Sequence, residues 1–223
     1  MAKSFLVCKA KRFNKENFII PIQQKLFEDE GTSEVKIEMH KPNFYLGFDQ
    51  FMCTYDYIHK KSGRVFNRNF NYYFEPLRFY AYFLEELNLV LVQTKGDAAI
   101  DFINKLNSTK SYDIQPVDMH FNKMIPLITE VAGAWIANLN RAHLKTAGLF
   151  GPNVHKSEEY IEAASEGNVS AIQMKYILDK SMVEYYVMIS KKGSIVLYDT
   201  FDTIESEIEL VYDVFSKIIN PHL

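Results

Sequence analysis

Cysteine is scarce in this chain. Cys8 and Cys53 are the only two in 223 residues, and they fall in separate extended stretches. Two isolated thiols give no disulfide framework, so a reducing compartment is expected. An excess of one charge is missing too: 25 basic against 28 acidic side chains leave a formal charge of −3. That excludes a polybasic protein, and any affinity for a polyanion has to come from a local patch, not from the field of the whole molecule. No apolar run approaches the ~18 residues that a membrane span needs. The opening MAKSFLVCKAKR has only a short apolar core and no small-residue cleavage site, so no secretory signal is read and a cytoplasmic location is expected.

Metal and phosphate motifs are also lacking. The six histidines (His40, His59, His120, His143, His155 and His222) are scattered, with no partner four residues on and no neighbouring cysteine, which argues against a zinc site. Thr94-Lys95-Gly96-Asp97 sits at a strand-to-helix turn but lacks further glycines. Its aspartate opposes an anion, so it reads as a helix start capped by Asp97. No cofactor is expected. Residues with A/T-rich codons dominate the composition, which fits a low-GC bacterial genome and carries no chemistry.

What the chain does have is a concentration of aromatics. Fifteen lie in the forty positions from Phe44 to Phe83, interleaved with Lys60, Lys61, Arg64, Arg68 and Arg78. Base-stacking surfaces use this mixture, and so do heavily packed β cores. Ser62-Gly63 reads as a two-residue hairpin loop with Lys61 opposite Arg64. That register sets His59 against Phe66, Tyr57 against Arg68, Tyr55 against Phe70, Cys53 against Tyr72 and Phe51 against Phe74. All of these fall on one face, and a mostly polar set (Thr54, Asp56, Ile58 and Lys60 against Asn71, Asn69, Asn67 and Val65) falls on the other.

Around this segment the periodicities define further elements. Strands are expected over Phe5–Ala10, around Val35–Met39, at Leu89–Val92, at Leu144–Phe150 and in three runs from Val169 to Phe201, the last two joined by a Lys-Lys-Gly turn. Helical spacing marks Lys15–Phe27, Pro76–Leu87 (Leu77, Tyr80, Leu84, Leu87) and a stretch from Asp97. It also marks Met124–Trp135, Ser157–Glu166 and the C-terminal Ile204–Ile218, with Asp202 and Glu205 as a capping box. The expected fold is α+β, mainly antiparallel sheet with packed helices. It divides at the polar stretch 107–113 into an N-terminal half, 1–107, and a C-terminal half, 108–223, either as two related halves or as one continuous domain.

Function follows from the hairpin. Its outer end carries Tyr57, His59, Lys60, Lys61, Arg64, Phe66 and Arg68, a set suited to phosphate contact and base stacking or to an acidic protein partner. The plainer reading packs the whole aromatic face as core. The favoured expectation is a non-enzymatic accessory subunit that contacts nucleic acid or a protein partner through this hairpin. One alternative is a metal-dependent nuclease using Glu159 or Glu162 with Gln173 and Lys175, although Gln173 stands where a carboxylate is preferred. The other is a purely structural subunit.

Overall fold

The computed structural model describes residues 2–20 and 34–223. The expected helix Lys15–Phe27 falls partly outside them, and its described end is strand. The α+β expectation holds, with sheets that are mainly antiparallel. Two units divide the chain: residues up to Val7 together with Pro116–Leu223, and Cys8–Gln115.

The Cys8–Gln115 unit is built from β1 (Lys3–Arg12, whose first residues belong to the other unit), β2 (Phe18–Ile20), β3 (Val35–Tyr45), β4 (Phe48–His59), β5 (Gly63–Val65), β6 (Arg68–Phe70), β7 (Tyr73–Leu84), β8 (Leu89–Val92), α1 (Gly96–Asn107) and β9 (Asp113–Pro116). Its sheet runs β1-β8-β7-β4-β3-β2, with β9 on β1 and β5–β6 as a separate ribbon. The segment read as a helix from Pro76 is the long strand β7. Phe79, Ala81 and Phe83 alternate into the core, and the two-residue period of these β-favouring residues overrides the helical stripe of Leu77, Tyr80 and Leu84. Pro76 fits because of where it stands. Its ladder partner Asp56 donates its N–H to Glu34 O on the other side, at 3.2 Å. The missing N–H of Pro76 therefore faces a side that β8, paired only with Ala81–Leu84, does not reach.

β7 rather than residues 65–72 is thus the partner of β4, and Tyr57 stands opposite Glu75, not Arg68. The aromatic face of β4 is core. Phe51, Cys53 and Tyr55 are buried with Phe79 and Ala81, and α1 covers them, Phe102 meeting Tyr55 and Phe79 edge-on at 5.9 and 5.1 Å. Phe13 closes one end, stacked on Phe83 at 4.3 Å. The N-cap of α1 is Lys95, without a side-chain cap, and Asp97 sits in the first turn.

The other unit holds α2 (Phe121–Met124), β10 (Glu130–Ala137), β11 (Thr146–Phe150), α3 (Glu158–Glu166), β12 (Asn168–Leu178), β13 (Val183–Ser190), β14 (Ser194–Leu197) and α4 (Ile204–Val214). Its sheet runs β11-β10-β12-β13-β14-β1. The expected helix at Met124–Trp135 is instead α2, a 3-10 turn over Ile125–Leu127 and the strand β10. Pro126 breaks the helix, and Val131, Ala134 and Ile136 enter the core from β10. Ser157 caps α3 as read, its Oγ accepting from Tyr160 N at 3.2 Å. The cap of α4 is Thr203, not Asp202, and it accepts from Ser206 N. Ile208, Val211 and Phe215 bury as their spacing requires. Each unit therefore repeats one order, in which three antiparallel strands lead to a short buried strand and a helix: β3-β4-β7-β8-α1 and β10-β12-β13-β14-α4.

Two features of these cores make direct predictions. Burial pushes the thiols of Cys8 and Cys53 far above their usual range, and only the thiolate attacks an alkylating agent. Iodoacetamide is expected to leave the native protein unlabelled and to label both cysteines in denaturant; labelling of the folded chain would contradict this packing. Glu207 is fully buried on α4, and its carboxylate pairs with Lys3. Lys3→Met takes the Lys3 ammonium from that buried carboxylate and is expected to cost about 1–3 kcal/mol, read as a lowered denaturant midpoint. None of the described helices is long and apolar enough to cross a membrane.

Candidate functional site

With β4 closing on β7 at His59↔Tyr73, residues 60–72 leave the main sheet and form their own ribbon. β5 and β6 pair as Gly63↔Phe70, Arg64↔Asn69 and Val65↔Arg68. The turn is consequently Phe66-Asn67, not the Ser62-Gly63 that the sequence points to. Both turn residues have positive φ, 45° and 62°, the mark of a type I′ hairpin turn. Asn67 suits that conformation, whereas a bulky side chain there costs about 1–2 kcal/mol. Gly63 serves a different purpose: the ring of Phe70 lies across it, and a Cβ there would come within 2.3 Å of that ring.

Phe66 is 96% exposed. Arg64 and Arg68 flank it, Lys60 and Lys61 stand at the foot of the ribbon, all four are exposed, and among the described residues none of them pairs with a carboxylate. The Arg64 guanidinium donates to Asn67 Oδ1 at 3.2 Å. Residues 60–74 contain these four cations and no Asp or Glu. The ribbon is therefore a local positive patch on a chain of net negative charge.

The base of the ribbon has the opposite character. His59 Nε2 lies 2.6 Å from Glu75 Oε2, its ring stacks on Tyr73 at 4.7 Å and meets Tyr57 edge-on at 4.8 Å. The hydrogen bond from His59 holds the Glu75 carboxyl below its usual range. Burial, then the charges of Asp101, Asp97 and Glu75, push the Tyr57 hydroxyl up. The seven residues singled out from the sequence thus split. Arg64, Phe66 and Arg68 gather at the tip, Lys60 and Lys61 stand at the foot of the ribbon, and Tyr57 and His59 belong to an acid-lined, ring-packed base. The sequence reading missed Asn67 and Asn69, which join Arg64 on the exposed ribbon, and it missed Glu75. The available signal was an asparagine, a residue tolerant of positive φ, midway between two short alternating runs.

The residues of the nuclease alternative are each engaged elsewhere. Lys175 on β12 lies 3.5 Å from Glu130 and 3.4 Å from Glu184. Glu159 is held below its usual range by its own backbone N–H and by Ser157 at the start of α3, and Glu162 pairs with Arg141 at 2.9 Å. Gln173 lies beside Gly133 on the neighbouring strand. Among the described residues no three His, Cys, Asp or Glu side chains stand close enough to share a metal ion. The end of β11 and the turn at Gly151–Asn153 border an open recess of about 490 Å³. Compared with known proteins, the chain matches no family model and no curated sequence, so its function has to be read from this geometry.

Proposed function

We propose that this is a non-enzymatic, cytoplasmic accessory protein that binds nucleic acid through the ribbon 60–72. One observation carries the reading: among the described residues, Arg64 and Arg68 flank an exposed aromatic ring at the end of a two-stranded ribbon, Lys60 and Lys61 stand at its foot, and none of the four pairs with a carboxylate. Cations of this kind release counterions from phosphates, and that release supplies most sequence-independent affinity for nucleic acid. Phosphate contact sets the orientation, and exposed Arg and Asn side chains on the same ribbon can then meet base edges. An intramolecular role for the patch would require acidic partners, and Glu75 at the base of the ribbon is taken by His59.

The test is a titration of labelled single- and double-stranded DNA and RNA at low and moderate salt, with the wild type and an Arg64→Ala/Arg68→Ala variant. Salt-sensitive binding that weakens in the variant supports the reading. Flat curves at low salt would sink it and point to an acidic protein as the ribbon's partner.

A further inference from the structure

We infer that Phe66 is a wedge: it enters the base stack of a duplex at a step already weakened by a mismatch. This rests on the nucleic-acid reading above and names the substrate within it.

Four observations converge on a wedge rather than a stacking platform. First, the turn presents a single ring, Phe66. Single-strand binders lay successive bases on several exposed aromatics, but here Phe70 is committed to Gly63 and Tyr73, Tyr72 to Phe74, and Tyr73 to His59. Second, the ring stands at the apex, in the turn itself, with Arg64 and Arg68 two residues away on either side. An apolar side chain flanked by cations is the arrangement that unstacks a base step while holding the phosphates beside it.

Third, the turn favours Asn, Asp or Gly at both central positions, yet the first is Phe at φ 45°. A strained backbone carrying an unpacked ring gains nothing for the fold, and strain of this kind collects where a ligand uses it. Fourth, the ribbon has the right width. Two strands ~4.8 Å apart with their side chains fit a major groove ~12 Å wide. Asn69 stands opposite Arg64 on one face of the ribbon, placing an amide where base edges are read, beside a guanidinium that holds a phosphate.

Opening a base step is cheapest where pairing is already broken, so a mismatched duplex is the preferred substrate over a matched duplex or a single strand. The experiment uses a short DNA duplex with 2-aminopurine beside a mismatch, its matched counterpart and the single strand. The wild-type protein is expected to raise the fluorescence of the mismatched duplex as the probe is unstacked, and to bind that duplex most tightly. Phe66→Ala should lose about tenfold in affinity, the worth of one stacking contact, and should lose the fluorescence rise while keeping the salt dependence. Phe66→Leu, still an apolar wedge, should keep part of the rise. An unchanged rise in Phe66→Ala, or single strand bound as tightly as mismatched duplex, would overturn the wedge and leave nucleic-acid binding standing. Absence of salt-sensitive binding to every probe would overturn both.

Discussion

Raising the salt fourfold is expected to weaken duplex binding by about 150-fold, and removing Arg64 and Arg68 should cut the dependence in half. The magnitude follows from counterion release, which contributes a slope of about −0.9 in log affinity against log salt for each phosphate neutralised on B-DNA. Lys60, Lys61, Arg64 and Arg68 supply at most four contacts, for a slope of about −3.6. Between about 50 and 200 mM salt that amounts to about 150-fold. Arg64→Ala/Arg68→Ala retains two contacts and should show a slope of about −1.8, or about 12-fold over the same range. The chain's net charge of −3 gives no long-range attraction to compensate, since charges beyond about 10 Å are screened near 0.1 M salt. Parallel slopes for wild type and variant would show that other cations carry the binding. A change in affinity with no change in slope would place the two arginines on bases, not phosphates.

The parts of this design that were readable in the sequence are those in which a single periodicity decides the structure. Leu89–Val92 is an unbroken apolar run and becomes a strand buried on both faces. Ile208, Val211 and Phe215 recur at helical spacing and lie on the buried side of the C-terminal helix. Where two periods coincide, tertiary context chose between them. Leu77, Tyr80 and Leu84 fit a helix as well as Phe79, Ala81 and Phe83 fit a strand, and Pro76 tips the local reading toward a helix start. Whether a strand accepts that proline depends on which of its edges is open, a fact about β8's short reach that no local pattern carries.

The hairpin was misread for a related reason. Gly63 resembles a turn glycine but admits the Phe70 ring, and the positive φ of the turn belongs to Phe66 and Asn67. The basic tip was visible as a composition. Its separation from Tyr57 and His59 was not, because it depends on β4 pairing with β7, displaced by an odd number of residues from the register the sequence suggests.

That separation predicts opposite fates for two phenylalanines. Phe102 is 1% exposed and meets Tyr55 and Phe79 edge-on in the core of its unit. Phe102→Ala removes a buried ring from a sheet–helix contact and is expected to cost about 3–5 kcal/mol, enough to consume a large part of an ordinary domain's stability. Phe66→Gly removes a ring that packs on nothing and places a residue indifferent to the sign of φ where φ is 45°. Relief of about 1–2 kcal/mol of left-handed strain is set against the extra freedom glycine gives the unfolded chain, about 0.4–1 kcal/mol. Stability should therefore be unchanged or slightly raised, while mismatch-dependent unstacking is lost. Urea unfolding of both variants beside the wild type measures this directly. A large loss of stability from Phe66→Gly would mean that the tip ring is structural, and the wedge would then lose its basis. A stable fold with the unstacking abolished would mean that the chain holds a strained, water-exposed phenylalanine in a place where folding alone would favour asparagine or glycine.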